Sequence, residues 1–127
     1  MRALLLVALG SAFGGAARHL VAGMIGSRLG ETFPWGTVVV NVLGSCAIGV
    51  LAAFSDSPRV ALSLEARQFL MAGVLGGFTT FSSFSLQTLR LMQEGDWTRA
   101  MGNVVVSVVV CLAAVAAGYR LARLVGG

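Results

Sequence analysis

From Gly76 to Ser85 the chain reads Gly-Gly-Phe-Thr-Thr-Phe-Ser-Ser-Phe-Ser, and five of the seven residues from Thr79 to Ser85 carry hydroxyls. The other two are phenylalanines. The stretch lies inside a run, residues 68–89, that contains no Asp, Glu, Lys or Arg. At membrane depth a polar group costs free energy unless it finds a partner, so such groups face a bundle interior or a water-filled path. Gly76 and Gly77 weaken a helix where the hydroxyls begin. An interrupted helix with free carbonyls beside polar side chains is how membrane proteins build ion sites. The chemistry expected is coordination and passage of something small.

Other polar groups fit that chemistry. Asn41 lies within the charge-free run 32–55 and is followed by Gly44 and Ser45. Its amide has two possible uses, an interhelical hydrogen bond or the lining of a path. Asn103, Ser107 and Cys111 are spaced i, i+4, i+8, which stacks them on one helix face. Around them residues 104–115 are almost wholly aliphatic, so the three form a polar track facing protein or water; back-bonding of the hydroxyl to the i−4 carbonyl is the alternative. Phe78, Phe81 and Phe84 recur every third residue, a stripe that ordinarily means packing; interleaved with hydroxyls, at least one is expected to share their face. A phenyl ring has a positive edge and a negative face. Edges suit a dehydrated anion and faces suit a cation. Arg18 ends the charge-free run 3–17, where it snorkels or lines an aqueous vestibule that attracts anions. The adjacent His19 reads as an interfacial residue.

The missing groups narrow the chemistry further. Glu31, Asp56, Glu65, Glu94 and Asp96 all fall outside the apolar runs, leaving no mid-span carboxylate to carry a proton or pair with a cationic substrate. Serines are plentiful, yet no buried His or Lys is placed to activate one, so the chain is not expected to be an enzyme. Cys46 and Cys111 lie deep in apolar runs, unsuited to a disulfide and without metal-site spacing. All nine basic residues are arginines, scattered along a chain of net charge +4, with no cluster for nucleic acid or lipid headgroups. Donors without acids, together with Arg18, point to a small anion.

The elements that must position these groups are membrane helices. The 127 residues are 57% hydrophobic with a mean hydropathy of +0.88, beyond a soluble domain of this size. The charge-free runs are 3–17, 32–55, 68–89 and 100–119. The last three contain 24, 22 and 20 residues, each enough to cross about 30 Å of hydrocarbon. The first continues past Arg18 and His19 through Leu20–Ile25. Arg2, then Ala3–Leu9, then small residues also outline a signal peptide, but three further spans and a Gly-rich stretch to Ala17 favour a first membrane helix. The runs are continuous rather than alternating, which excludes a β-barrel. The expectation is an all-α membrane protein, a single four-helix transmembrane domain over 1–127. Its helices cover about 3–26, 35–54, 66–91 with an interruption near Gly76–Thr80, and 98–122.

Four spans place Arg2, Arg59, Arg67, Arg120 and Arg123 on one side, and Arg28, Arg90 and Arg99, with Arg18 nearby, on the other. That balance gives the positive-inside rule nothing to act on. A chain inserting both ways round would form an antiparallel, dual-topology homodimer, which would also thicken a bundle too thin to enclose a path. A weakly biased single orientation is the alternative. Small-xxx-small pairs at Gly10/Gly14, Ser11/Gly15 and Gly73/Gly77 indicate close helix approach without naming the partner.

On these residues the chain resembles the CrcB/Fluc family of fluoride channels. The resemblance covers essentially the whole chain. It rests on Gly14-Gly15-Ala16-Ala17-Arg18, on Pro34-Trp35-Gly36-Thr37 leading to Asn41 and Gly44, and on the stretch from Gly73 to Ser85. It implies a passive channel exporting fluoride from the cytoplasm across the cell inner membrane or plasma membrane, built as an antiparallel homodimer with two pores. By the same resemblance Phe81 and Phe84 present ring edges to the anion and Asn41 is the pore asparagine. Thr80 and Ser107 belong to the polar track, and Arg18 is the vestibule arginine. The backbone carbonyls of Gly76 and Thr79 match those that hold a structural sodium ion on the dimer axis. Three positions depart from the pattern: Gln87 where Glu is frequent, Asn103 where Tyr is common, and Cys111 in place of a hydroxyl. A thiol is a weaker donor. Two rivals remain from the residues alone. A small dual-topology multidrug-type transporter lacks its required carboxylate here, and a non-transporting membrane assembly subunit leaves the Thr/Ser/Phe cluster without a purpose.

Overall fold

The four charge-free runs become four long helices in the computed structural model, which describes residues 1–126. Gly127 lies outside the described residues. The first span is α1, Arg2–Leu29, and the second is α2, Trp35–Ser55. The third span, Leu64–Gln93, is assembled from pieces. It comprises α3 (Leu64–Arg67), a π-helical stretch (Gln68–Leu75), α4 (Gly76–Phe78) and, beyond Thr79 and Thr80, α5 (Phe81–Gln93). The fourth span is α6, Trp97–Gly126. All four are long and apolar enough to cross a membrane, and the chain is a multi-pass membrane protein. No strand occurs among the described residues.

Local chemistry sets the ends. Gly30 at φ 83° and Gly95 at φ 79° supply the left-handed turns that follow α1 and α5. Ser63 Oγ accepts the Ala66 N–H at 3.1 Å to start α3. Asp96 Oδ1 accepts the Arg99 N–H at 3.1 Å ahead of α6, while Oδ2 pairs with the Arg99 guanidinium at 3.0 Å. α1 and α6 run a few residues beyond their expected ends. Arg28, Arg120 and Arg123 are good helix formers and carry the helix past the apolar boundary.

Few large side chains are buried, and most apolar ones point outward, among them Leu4, Leu5, Leu9 and Phe13 on α1. That arrangement suits lipid, where helices associate by close backbone approach rather than by hydrophobic burial. α1 packs on the first half of the third span, and α2 on α6. A methyl at Gly10 would lie 2.5 Å from the Phe69 carbonyl oxygen, and one at Gly77 would lie 2.6 Å from that of Ser11. Gly14 faces the Val74 carbonyl even more closely, and Gly49 and Gly118 make the same kind of contact between α2 and α6. The Gly10/Gly14 and Gly73/Gly77 pairs therefore face each other. Ser11 joins them, its Oγ donating to the Gly73 carbonyl at 3.4 Å. Gly15 stands in open space.

The interruption of the third span falls at Thr79 and Thr80, whose φ/ψ of −81°/156° and −150°/118° are extended. Gly76 stays helical, at φ −61° and ψ −37°. Gly77 allows α1 to approach, and the breaking falls to Thr79 and Thr80. The π-helical stretch before the break was not anticipated, because nothing in an apolar run distinguishes i→i+5 from i→i+4 hydrogen bonding.

Gly14→Ala is expected to lower unfolding stability in detergent by about 1–3 kcal/mol, because backbone must move to admit the methyl. Gly15→Ala should stay within about 0.5 kcal/mol of the parent. Equal effects in a denaturation series would remove the backbone seam as the cause.

Candidate functional site

Two extended residues in mid-span leave backbone groups that need partners, and Asn41 of α2 provides them. Its Oδ1 accepts the Thr80 N–H at 2.7 Å and its Nδ2 donates to the Thr80 carbonyl at 3.0 Å. One side-chain amide thus pairs with both backbone groups of one residue, as a neighbouring strand would. In a continuous helix the Thr80 N–H would close on the Gly76 carbonyl; drawn to Asn41, it leaves that oxygen free of it. Both uses foreseen for Asn41 apply, since it bridges helices and also lines a cavity.

The hydroxyls beyond the break divide into two groups. Thr80 Oγ1 accepts the Ser83 N–H at 3.1 Å, capping α5, and lies 3.3 Å from Ser82 Oγ and 3.2 Å from Ser83 Oγ. Thr79, Ser85 and Thr88 instead donate back to the Leu75, Phe81 and Phe84 carbonyls at 2.9, 2.9 and 2.8 Å. Those three follow the ordinary behaviour of hydroxyls in membrane helices. The Phe81 and Phe84 rings lie 5.2 Å apart at 51°, within the range where an edge approaches a neighbouring face. Phe81 is 77% exposed and projects away from its own chain.

A cavity of about 430 Å³ opens beside the break between α2, the third span and α6. Asn41, Gly76, Thr79, Thr80, Phe81, Phe84, Ser107 and Cys111 all line it. No carboxylate or basic residue does. Two expected residues sit elsewhere. Arg18 is half-buried on α1, its Nη1 donating to the Thr79 carbonyl at 3.5 Å, at the back of the break rather than in the cavity. Asn103 is 1% exposed and lies behind Ser107.

Residues 5–119 match the profile of a family described as "CrcB-like protein, Camphor Resistance (CrcB)". The chain belongs to the CrcB family. Among its curated relatives, a protein of Opitutus terrae named "Fluoride-specific ion channel FluC" is 54% identical over 116 residues, which cover 91% of this chain and 88% of the relative. A protein of the same name from Paramagnetospirillum magneticum is 52% identical over 121 residues, 94% of each chain. Another, from Methylocella silvestris, is 50% identical over 117 residues, 91% of this chain and 89% of the relative.

The CrcB chain also holds one group, Thr88, that the sequence alone did not single out. Thr88 is 6% exposed and accepts from Asn103 Nδ2 at 2.9 Å, tying α5 to α6. Its place eight residues after Thr80, on the face shared with Phe84, was the available signal. Gln87 lines a second cavity, of about 640 Å³, with Arg90, Glu94, Arg99 and the loop after α1. Its Oε1 is buried and has no hydrogen-bond partner among the described residues.

Asn41→Leu leaves the Thr80 N–H and carbonyl without partners, at an expected cost of about 2–4 kcal/mol. Hydrogen exchange at the Thr80 amide should accelerate about tenfold or more. An unchanged rate would mean that the break holds without the amide.

Proposed function

We propose that this chain is a passive, fluoride-selective ion channel that exports fluoride from the cytoplasm. The observation that carries the reading is the cavity at the break, walled by one amide, hydroxyls and two phenyl rings and free of carboxylates. Fluoride is small and strongly hydrated, so a dry path must replace its water with several donors. Asn41, Thr80 and Ser107 offer those donors, and the edges of Phe81 and Phe84 add a weak positive lining. None of these groups carries a full charge that would trap the ion. Arg18, held at the rear of the break, adds a positive field without standing in the path. The names of the relatives support the same ion.

The functional unit in this proposal is an antiparallel, dual-topology homodimer with two pores, in the cell inner membrane or plasma membrane. Three features support it. The arginines are balanced between the two ends, the cavity opens to the outside of the four-helix bundle, and Phe81 stands where a second copy would meet it. A structural sodium ion on the dimer axis belongs to the same reading. The carbonyls of Gly76 and Thr79 are hard oxygen donors at the break, which fits an alkali cation. The second copy would bring the same two carbonyls to the ion. When bound, the ion would contribute positive charge near both paths. The chain's own residues bind, orient and desolvate the fluoride.

Liposomes containing only the purified protein should lose fluoride rapidly, read with a fluoride electrode, once an ionophore balances the charge, while chloride is largely retained. Phe81→Ile and Phe84→Ile are each expected to cut the fluoride rate about tenfold or more with the dimer intact. Retention of both ions by a monodisperse parent would overturn the channel reading, and parental rates in both variants would remove the rings from the path.

A further inference from the structure

Behind the cavity wall runs a chain of hydrogen bonds that all point one way. It starts at the Phe84 carbonyl, which can only accept. Thr88 has one hydroxyl proton and gives it to that carbonyl at 2.8 Å. Thr88 Oγ1 then has only lone pairs left for Asn103, so Asn103 must turn its NH₂ toward Thr88, at 2.9 Å. Its Oδ1 is thereby turned toward Ser107, whose Oγ donates to it at 3.3 Å. Reversing the amide would require Thr88 to give up the Phe84 carbonyl and donate to the amide oxygen instead. Thr88, Asn103 and Ser107 are 6%, 1% and 7% exposed, so water does not relieve the arrangement.

At rest, therefore, the one proton of Ser107 points into the protein, and the hydroxyl shows lone pairs to the cavity it lines. An anion needs that proton. The bonds lengthen toward the cavity, and the last one, at 3.3 Å, is long for O–H···O, whose usual distance is about 2.7–2.8 Å. The link nearest the ion is the weakest.

Building on the channel reading above, we infer that Asn103 is a positioning residue: its carbonyl holds the Ser107 hydroxyl turned away from the cavity, and an anion must compete with it for that proton. Fluoride, a strong hydrogen-bond acceptor, wins the exchange, and chloride, a weaker one, gains less from it. When the hydroxyl swings to the anion, the Asn103 carbonyl is left unpaired in a buried site. That cost slows the entry of any anion that draws the hydroxyl out, and it does not by itself raise the preference for one anion over another.

The test measures fluoride and chloride efflux from proteoliposomes for the parent, Asn103→Leu, Ser107→Ala and the double variant. Asn103→Leu, close in size and without an acceptor, frees the hydroxyl. The fluoride rate is expected to rise about twofold to tenfold, the size of one neutral hydrogen bond, with no loss of preference over chloride. In the Ser107→Ala background the same substitution should leave the fluoride rate unchanged, because its effect runs through the hydroxyl. An unchanged fluoride rate in the single variant, or an equal rise in both backgrounds, overturns the inference while leaving the channel reading intact. A parent that passes no fluoride overturns both. A second measurement does not depend on the leucine variant folding. In ¹⁵N-labelled parent protein, fluoride should shift the Asn103 side-chain NH₂ resonances and chloride should not. Resonances that fluoride leaves in place overturn the inference.

Discussion

One side-chain amide paired with the N–H and C=O of one residue, Asn41 with Thr80, is the contact on which the bundle's interior depends. An interrupted helix in an apolar surrounding leaves donors and acceptors that nothing in lipid can satisfy. Asn41 removes that penalty at the point where it is largest. With the Thr80 backbone held, Thr79 and Thr80 can be extended, α5 can start afresh with the Thr80 hydroxyl as its cap, and Phe81 and Phe84 come to the cavity. Each later feature presupposes the earlier one. Gly44 completes the contact, because a methyl there would collide with the Thr79 side chain and push α2 away.

The rest of the bundle is built to keep that contact fixed. The α1 seam holds the first half of the third span, and α2 is clamped on α6, both through glycines set against opposing backbone. Backbone contacts of this kind have no rotamers to change, so the helices meet in one geometry. The polar groups, Asn41, Arg18 and Thr88 among them, then work at set distances from fixed carbonyls. Preorganised donors need little rearrangement when an ion arrives.

Much of this was legible in the residues. The charge-free runs located the four helices to within a few residues, because length and hydropathy are nearly the whole signal for a membrane span. Gly76–Thr80 marked the interruption, although Gly77 serves packing against α1 and the two threonines carry the break. The i, i+4, i+8 spacing put Asn103, Ser107 and Cys111 on one face, as foreseen. It could not say that Asn103 is sealed behind Ser107, because that depends on how α5 sits against α6 and on Thr88. The reach of the Arg18 guanidinium to the Thr79 carbonyl depends on how α1 packs against the third span, which no single run of residues reveals. The π-helical stretch left no trace in composition, since widening a helix by one residue per turn asks nothing of aliphatic side chains.

The two-residue break has one more consequence. Every helix is an electrical dipole, negative at its carbonyl end and positive at its amide end. In an unbroken span those poles sit at opposite faces of the membrane, far apart and bathed in water. Here the carbonyl pole of one half-helix and the amide pole of the next are brought to the middle of the bilayer, separated by Thr79 and Thr80 alone. The chain thereby carries a terminal of each sign at a single depth, in a medium that screens neither. Any shift that sharpens one terminal moves the other with it, so the affinities of this point for positive and negative charge are set together by the geometry of two peptide units.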